Sequence, residues 1–259
     1  MYQYLLYEIK DSICHITLNR PEVYNALNNE LLSEIKTSIE AAGADPEVRV
    51  VVLTGAGNKA FCSGADLKAG MSAGGSLGDR LRSHYNPMIL AIRNLAKPVI
   101  CQLNGIAAGA GCSLALACDI IVASETAAMS QIFVNIGLVP DAGSTYFLPR
   151  LVGSAKAFEL ASSGRIVPAH ECLALGLVSH VVPANDLVNT VNALATQYAQ
   201  APTVAIGYIK KMLNQSHESN LEQMLDLEAQ HQDLCGHTHD AGEGIMAFLQ
   251  KRKAVYKGK

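Results

Sequence analysis

The first fifth of the chain passes from strand periodicity to helical periodicity and back. Alternating positions in YLLYEI and ICHITL, separated by the polar KDS, predict an opening β-hairpin. In NNELLSEIKTSIEAAG, four aliphatic side chains fall on one helical face, with Asn28 or Asn29 as the N-cap and Gly43 at the end. VRVVVLTG has the length and composition of a buried strand. The predicted order is therefore β-β-α-β.

The alternation of strands and helices continues to residue 183. A glycine-rich loop over residues 55–65 precedes the helical pattern RLRSHYNPMILAIRNLA and the strand pattern PVICQL. An Asn104-Gly105 turn, the short helical pattern AGCSLALAC and the strand patterns DIIVAS and GLVSHVV follow, the last ending near Pro183. Such alternation favours parallel strands with helices packed on the sheet, so we expect an α/β fold.

Strand patterns stop after residue 183, and helical patterns fill the remainder. They are ANDLVNTVNALATQYA, PTVAIGYIKKMLNQ, NLEQMLDLEAQHQDLC and DAGEGIMAFLQKRKAVY. Their apolar faces carry large side chains that can pack on the core or on a neighbouring subunit. The sequence thus predicts a core over residues 1–183 and a helical C-terminal region over residues 184–259.

Composition and charge argue against several classes of partner. Of 259 residues, 49% are hydrophobic and 17% charged, which is typical of a globular protein with a large core, and the apolar surplus favours an oligomer. A net charge of −3 with intermixed signs provides no basic stripe for nucleic acid. The uncharged run over residues 98–118 suits a buried strand, loop and helix better than a membrane span. We therefore expect neither nucleic acid nor a membrane as a partner.

The cysteines and the first residues indicate a cytoplasmic protein without a metal site. The seven cysteines form no CxxC pair and no zinc spacing, so they are typical of buried thiols in a reducing compartment. The segment MYQYLLYEIKDSICHITLNR shows no secretory signal. His237 and His239 have no evident third ligand, which argues against a metal pair.

Two loops rich in small residues each follow a predicted strand. GAGNKAFCSGADL is not a P-loop, because it lacks GK[ST], and its glycines do not form GxGxxG. In NGIAAGAGCSLALAC, residues 107–111 stand at a predicted helix N-terminus, where free backbone N–H groups favour a developing negative charge. Two such loops after two strands could supply a pair of N–H donors, which is the layout of an oxyanion hole.

Asp141, in GLVPDAGST, is the only carboxylate between Thr126 and Phe158. One interpretation is structural, since an aspartate after Pro140 can cap a helix through a side-chain oxygen. The other is chemical, since a carboxylate in apolar surroundings has a raised pKa and can serve as acid or base. Taken alone, the turn favours the cap.

Five segments together resemble the crotonase superfamily of enoyl-CoA hydratases and isomerases. They are NRPEVYNALN, VVLTGAGNKAFCSGADL, KPVICQLNGIAAGAGCSLALACDI, IGLVPDAGSTYFLPRLVG and EGIMAFLQKR, in order over nearly the whole chain. The resemblance implies a spiral of ββα units, with a helical C-terminal region that covers the acyl pocket and joins subunits. It also implies an acyl-CoA thioester as substrate, no cofactor beyond the coenzyme A of that substrate, and a homotrimer or a dimer of trimers.

The resemblance assigns roles to individual residues. The backbone N–H groups of Ala65 and Ala110 match the pair that holds the thioester oxygen in the family. The residues implied to line the substrate site are Gly64, Asp66, Leu67, Gly109, Gly111, Phe133, Ile136, Leu138 and Phe248. The residues implied to meet coenzyme A are Lys59, Ala60, Phe61, Lys68 and Lys251.

Two departures from the family pattern bear on the reaction. Members that add water carry two glutamates, which align with Ser113 and Phe133 here, so the acid/base pair for hydration is missing. GLVPDAGSTYFLPR, with YNPMI and LDLEAQHQDL, instead resembles the phenylacetate-pathway branch that rearranges 1,2-epoxyphenylacetyl-CoA to an oxepin and shifts enoyl double bonds. The resemblance therefore implies an isomerase with Asp141 as the single acid/base, its pKa raised by apolar neighbours such as Phe133, Ile136 and Leu138.

Other functions stay open at the level of sequence. A hydratase would need a second catalytic residue, and a hydrolase or dehalogenase with Asp141 as nucleophile would need a base. A non-catalytic acyl-CoA-binding protein would have no use for a buried carboxylate. His84 and Tyr85 could orient a substrate, although such residues more often lie at a satisfied surface or interface. The pattern does not choose between a ring epoxide and a straight-chain enoyl group, or between phenylacetate and fatty-acid metabolism.

Overall fold

Two sheets form the frame of the molecule, for which the computed structural model describes residues 2–68 and 76–259. The described strands are β1 (Leu5–Lys10), β2 (Ile13–Leu18), β3 (Val50–Gly55), β4 (Ala60–Cys62), β5 (Val99–Leu103), β6 (Ile106–Ala108), β7 (Ile120–Ser124), β8 (Ala128–Ser130), β9 (Ile166–Pro168) and β10 (His180–Val182). The main sheet has the order β1-β2-β3-β5-β7-β10, and the smaller sheet has the order β4-β6-β8-β9.

Helices account for most of the remaining described residues. They are α1 (Asn29–Ala44), α2 (Leu77–Arg80), α3 (Asn86–Asn94), α4 (Ala110–Leu116), α5 (Ser144–Val152), α6 (Ser154–Ser163), α7 (Ala169–Ala174), α8 (Leu187–Ala199), α9 (Thr203–Gln215), α10 (Leu221–Gly236) and α11 (His239–Leu249). A π-helical segment, Leu81–Tyr85, joins α2 to α3, and a 3-10 helix spans Ile132–Ile136.

The predicted opening of the chain is confirmed, except that α1 runs through Gly43 and ends at Ala44. β1 and β2 form an antiparallel hairpin, and β2 pairs in parallel with β3. Asn28 caps α1, because its side-chain oxygen accepts the N–H of Leu31 at 2.9 Å. The apolar face of α1, which includes Leu31 and Ile35, is fully buried in the core. Local sequence pattern and packing therefore agree over the first 55 residues.

Alternation along the parallel strands divides the interior into two layers. Val51 and Leu53 of β3 point into the larger cluster, which also contains the buried face of α1. Val50 and Val52 belong to a second cluster on the opposite face of the sheet, together with Val191 of α8. Both faces of the main sheet are therefore covered, as expected of parallel strands.

The smaller sheet was not predicted from the sequence. β4, β6 and β8 each follow a strand of the main sheet after a turn, which gives the repeated unit that the family resemblance implies. Each strand of this sheet has only three residues, too few to show a periodicity of two, and β4 and β6 lie within the small-residue loops. The observed order brings the ends of β4 and β6 side by side.

Four helices, α8 to α11, occupy the chain after the last described strand. α8 packs on the main sheet, while α10 and α11 carry many exposed apolar side chains. None of the helices described here is both long and apolar enough to cross a membrane.

Candidate active site

The first N–H donor comes from the loop after β4. Ala65 forms an isolated parallel bridge with Leu27, in which Leu27 N donates to Gly64 O at 2.8 Å and Asp66 N donates to Leu27 O at 3.0 Å. In a parallel bridge the middle residue directs its own N–H away from the partner strand. Ala65 is exposed, and among the described residues its N–H has no acceptor.

The second N–H donor comes from the start of α4. Gly109 precedes this helix with φ +53° and ψ −126°, a backbone conformation that favours glycine. Ala110 is the first helical residue, where the N–H has no acceptor within the helix. In the described part of the chain it donates to no other group, whereas Ser113 N closes the first turn on Gly109 O at 3.1 Å.

Glycines let the two donor loops touch. A Cβ on Gly64, where φ is +95°, would lie 2.7 Å from Ala108 O and 3.5 Å from Ala110 N. A Cβ on Gly111 would lie 2.2 Å from Cys62 O, which is too close for any side chain to fit there. The N–H groups of Ala65 and Ala110 therefore lie on two loops in direct contact, an arrangement suited to holding one oxyanion between them.

Asp141 is not a helix cap. α5 begins at Ser144, its N-cap is Gly143, and no side chain caps it. Asp141 Oδ1 is buried and has no hydrogen-bond partner among the described residues. Burial raises the pKa of Asp141 to about 6. The structural interpretation of this residue was therefore wrong, while the predicted rise of its pKa by desolvation is confirmed.

Ser113 connects α4 to the acid. Its side chain is fully buried, and its Oγ donates to the backbone oxygen of Asp141 at 2.9 Å. Ser144 Oγ, at the start of α5, lies 2.7 Å from the same hydroxyl. The helix that presents the N–H of Ala110 thus also holds the backbone of Asp141. Sequence comparison noted only the missing glutamate at this position and gave no sign of the contact.

The apolar residues before Asp141 differ in their burial. Phe133 is only 6% exposed, and its ring lies 3.8 Å from the position of a Cβ on Gly109, so it packs beside the second donor loop. Ile136 and Leu138 are largely exposed. Their expected contacts with an acyl group and with Asp141 stay predictions.

Asp66 is part of an ion pair beside the first donor. Arg20 Nη2 lies 2.9 Å from Asp66 Oδ2, and both side chains are mostly buried. Arg20 Nη1 also donates to Ala26 O at 2.6 Å. The pair fixes the first donor loop to the segment before α1. The sequence gave no reason to select Arg20, although it stands in the family-like run NRPEVYNALN. Leu67, the next residue after Asp66, is exposed.

The residues expected to meet coenzyme A fall into two groups. Ala60 and Phe61 are buried strand residues of β4, so only their backbone could meet coenzyme A, and that contact stays a prediction. Lys59 and Lys68 are exposed on either side of the first donor loop. Lys251, just after α11, is also exposed.

Phe248 lies on the outside of α11. Its side chain is 82% exposed, so packing within the core of the same chain is ruled out. Its role in closing the acyl pocket stays a prediction.

Tyr85 differs from its expected place at a satisfied surface. Its side chain is buried at 3% exposure, and its hydroxyl has no hydrogen-bond partner in the described regions. Burial raises the pKa of Tyr85 to about 12, and the nearby charge of Asp141 adds to the rise. The phenol is therefore a neutral donor close to the acid.

A separate cavity of about 880 Å³ lies between the C-terminal helices and the core and is rich in basic residues. Most of these are already bonded within the protein. Lys210 Nζ donates to Ile92 O and to Asp119 Oδ2, both at 2.8 Å, and Arg49 donates to Thr203 Oγ1 and Ala201 O. These groups attach α9 to the core, so the cavity is a structural feature.

Comparison with known proteins agrees with this geometry. Residues 8–259 match the enoyl-CoA hydratase/isomerase family. The chain is 41% identical to a probable enoyl-CoA hydratase of Rhodobacter capsulatus, over 100% of this chain and 99% of that protein. It is 37% identical to the 1,2-epoxyphenylacetyl-CoA isomerase of Escherichia coli, over 100% of both. The crystal structure of an enoyl-CoA hydratase from Bacillus anthracis superposes with a TM-score of 0.94 at 34% identity, covering 99% of this chain and 100% of that one. The chain belongs to the enoyl-CoA hydratase/isomerase family and has the fold of the crotonase superfamily.

Proposed function

We propose that this enzyme is an acyl-CoA isomerase in which Asp141 is the single acid/base. The observation that carries the proposal is the pairing of one buried, unpartnered carboxylate with two free N–H groups on touching loops. The positions that hold glutamates in water-adding relatives carry Ser113, which is bonded within the protein, and Phe133, which cannot transfer a proton. One carboxylate suffices for a proton shuttle, whereas hydration requires a second group to activate water.

The proposed reaction on an enoyl chain is a proton transfer from C2 to C4. The N–H groups of Ala65 and Ala110 hold the thioester oxygen, so that it can accept negative charge. The Asp141 carboxylate removes a proton from C2 of a 3-enoyl-CoA, and the electron pair of the broken C–H bond enters a dienolate. The same carboxyl group returns the proton to C4, which leaves the double bond between C2 and C3.

The pKa of Asp141 suits both halves of this transfer. At about 6, it keeps the group ionised at neutral pH, ready to accept a proton. The same value makes the protonated form accessible, so that the proton can be returned rather than lost to solvent. A carboxyl at its ordinary pKa would be a weaker base for a carbon acid.

The second proposed substrate is 1,2-epoxyphenylacetyl-CoA, which would be rearranged to an oxepin. Support comes from the isomerase of Escherichia coli that bears this name and matches the chain end to end. The same N–H pair would bind the thioester oxygen, and Asp141 would face the ring carbons next to it.

A purely binding function is disfavoured by the state of Asp141. A buried carboxylate without a hydrogen bond lowers stability, and a protein that only held acyl-CoA would gain nothing from it. The rival function is that of an enoyl-CoA hydratase, the name that several relatives carry. Hydration requires a second acid/base besides Asp141, and the described residues show none beside the two donors.

We further propose that the enzyme acts as a homotrimer or a dimer of trimers in the cytoplasm. α10 and α11 expose large apolar residues, and the segment before Asp141 does so too; these include Leu221, Leu225, Ile245, Phe248, Val134, Ile136 and Val139. Large apolar side chains exposed in such number favour burial between subunits. All seven cysteines are free thiols, which supports a reducing compartment.

An absorbance assay on the wild-type enzyme tests the reaction class. With 3-hexenoyl-CoA, we expect the absorbance of the conjugated thioester to rise; with crotonyl-CoA, it should stay constant. A fall with crotonyl-CoA would show addition of water and would replace the isomerase with a hydratase. A constant signal with both, together with no turnover of 1,2-epoxyphenylacetyl-CoA, would reject isomerisation altogether.

A further inference from the structure

The hydroxyl of Tyr85 is a buried donor that the proposed proton shuttle does not use. Tyr85 is the last residue of the π-helical segment Leu81–Tyr85, and its ring packs in the main core. π-helical turns widen a helix by one residue and occur often at functional sites. An unpaired buried hydroxyl destabilises a fold, and a phenylalanine would fill the same space without one. The hydroxyl therefore calls for a partner from outside the described chain.

Tyr85 belongs to the same buried cluster as Ala110, the second N–H donor, and Ala142, the neighbour of Asp141. The charged groups that act on the Tyr85 hydroxyl are Arg80 and Asp141, together with Asp66 next to the first N–H donor. Asp141 Oδ1 is itself buried and unpartnered, and no hydrogen bond joins it to Tyr85 among the described contacts. Tyr85 and Asp141 thus each carry a buried polar atom without a partner, which is the situation expected where a ligand atom is bound beside them.

A second unpaired donor defines the kind of ligand atom. Arg80 Nε donates to Asn29 Oδ1 at 3.0 Å, but Arg80 Nη2 is buried and has no partner in the described regions. Arg80 lies five residues before Tyr85 in the same helical stretch. Both a guanidinium N–H and a neutral phenol donate hydrogen bonds, so the missing partner is an acceptor.

We propose that Tyr85 is a substrate-binding residue whose hydroxyl donates a hydrogen bond to an oxygen atom of the acyl group, so that the site selects acyl-CoA esters bearing an oxygen near the carbons on which Asp141 acts. This inference rests on the proposed function. A ring epoxide or an oxepin offers such an oxygen, whereas a straight-chain 3-enoyl group has no acceptor beyond its thioester. The residue therefore determines specificity between the two proposed substrate classes.

Tyr85→Phe tests the inference with two substrates in parallel. For 1,2-epoxyphenylacetyl-CoA, we expect kcat/KM to fall about 10- to 100-fold, since one buried hydrogen bond to substrate is lost. For 3-hexenoyl-CoA, it should stay within about twofold of wild type, because no bond is lost. Tyr7→Phe, in the edge strand β1 of the main sheet, is the control and should leave both values unchanged.

Binding of unreactive esters gives a readout that is independent of turnover. Wild type should bind 2-hydroxyphenylacetyl-CoA more tightly than phenylacetyl-CoA, and Tyr85→Phe should remove that difference while it retains the affinity for phenylacetyl-CoA. An equal loss with both substrates, or no loss with either, would overturn the role of Tyr85. If wild type turns over neither substrate, or Asp141→Asn keeps full activity, the proposed function itself fails instead.

Discussion

The Ser113 hydroxyl donates to the backbone oxygen of Asp141 at 2.9 Å, and this bond joins the two halves of the site. Ser113 stands in α4, three residues after the donor Ala110, while Asp141 precedes α5. A shift of α4 relative to α5 would therefore change the distance between the oxyanion donors and the acid. Small errors in such a distance lower rates strongly, because proton transfer requires close approach.

Ser113→Ala should lower kcat more than it changes KM. The substitution leaves the Asp141 carbonyl with only the N–H of Ser144 as a donor, at 3.1 Å, and leaves the Ser144 hydroxyl without its partner, at about 1–3 kcal/mol of stability. Steady-state kinetics and thermal unfolding measure the two effects. Ser38→Ala is the control, because Ser38 is equally buried but bonds within α1. Unchanged kcat in Ser113→Ala would show that the bond does not position the acid.

Gly64→Ala should remove most of the activity. The new Cβ would meet Ala108 O at 2.7 Å in a backbone conformation with φ +95°, so the donor loop must move. Loss of one oxyanion donor lowers kcat by about 100- to 1000-fold. Gly236→Ala, where nothing lies within 4 Å of the new atom, should keep full activity. Comparable activity in the two variants would argue against a catalytic role for the loop contact.

The pH profile of isomerisation should report the titration of Asp141. The group must be ionised to accept a proton, and its pKa is about 6. We expect kcat/KM for 3-hexenoyl-CoA to rise with pH below this value and to reach a plateau above it. The measurement is a series of initial rates in buffers of constant ionic strength. A plateau that already extends well below pH 5 would assign the base to another group.

Asp141→Asn should stabilise the folded protein at high pH. The pKa of Asp141 is raised in the folded state, so ionisation opposes folding; stability is lost as pH rises from about 4 to about 6 and is then constant. A rise to about 6 corresponds to about 3 kcal/mol, and partial exposure reduces the expected gain to about 2 kcal/mol. Urea unfolding of both proteins at pH 8 and pH 5 measures the difference in their free energies of unfolding. The gain of the variant should be smaller at pH 5. A variant less stable than wild type at pH 8 would contradict the claim that the ionised Asp141 carboxylate destabilises the folded protein.

The larger elements of the fold were predictable because their own residues carry the signal. The hairpin and α1 show a local periodicity, and β3 is a continuous apolar run that is buried as predicted. The three-residue strands of the smaller sheet carry no such signal, because their pairing is decided by the strands beside them. β4 and β6 also lie inside glycine-rich stretches, which are typical of loops.

The site was predictable only in part, for the same reason. Resemblance to the family pointed to Ala65, Ala110 and Asp141, but the contacts that hold them link distant segments. Ser113 and Asp141 are 28 residues apart, and Arg20 and Asp66 are 46 apart. No local pattern encodes such pairs. The unpaired hydroxyl of Tyr85 is likewise visible only when the surrounding atoms are known.

The proton shuttle by Asp141 is tested most directly by the kcat of Asp141→Asn with 3-hexenoyl-CoA. Asparagine keeps the shape of the side chain but cannot accept and return a proton, so we expect kcat to fall by about 100- to 10,000-fold. The Kd of the saturated ester hexanoyl-CoA, measured on the same preparation, should stay near the wild-type value. Turnover close to wild type in this variant would contradict Asp141 as the acid/base of the reaction.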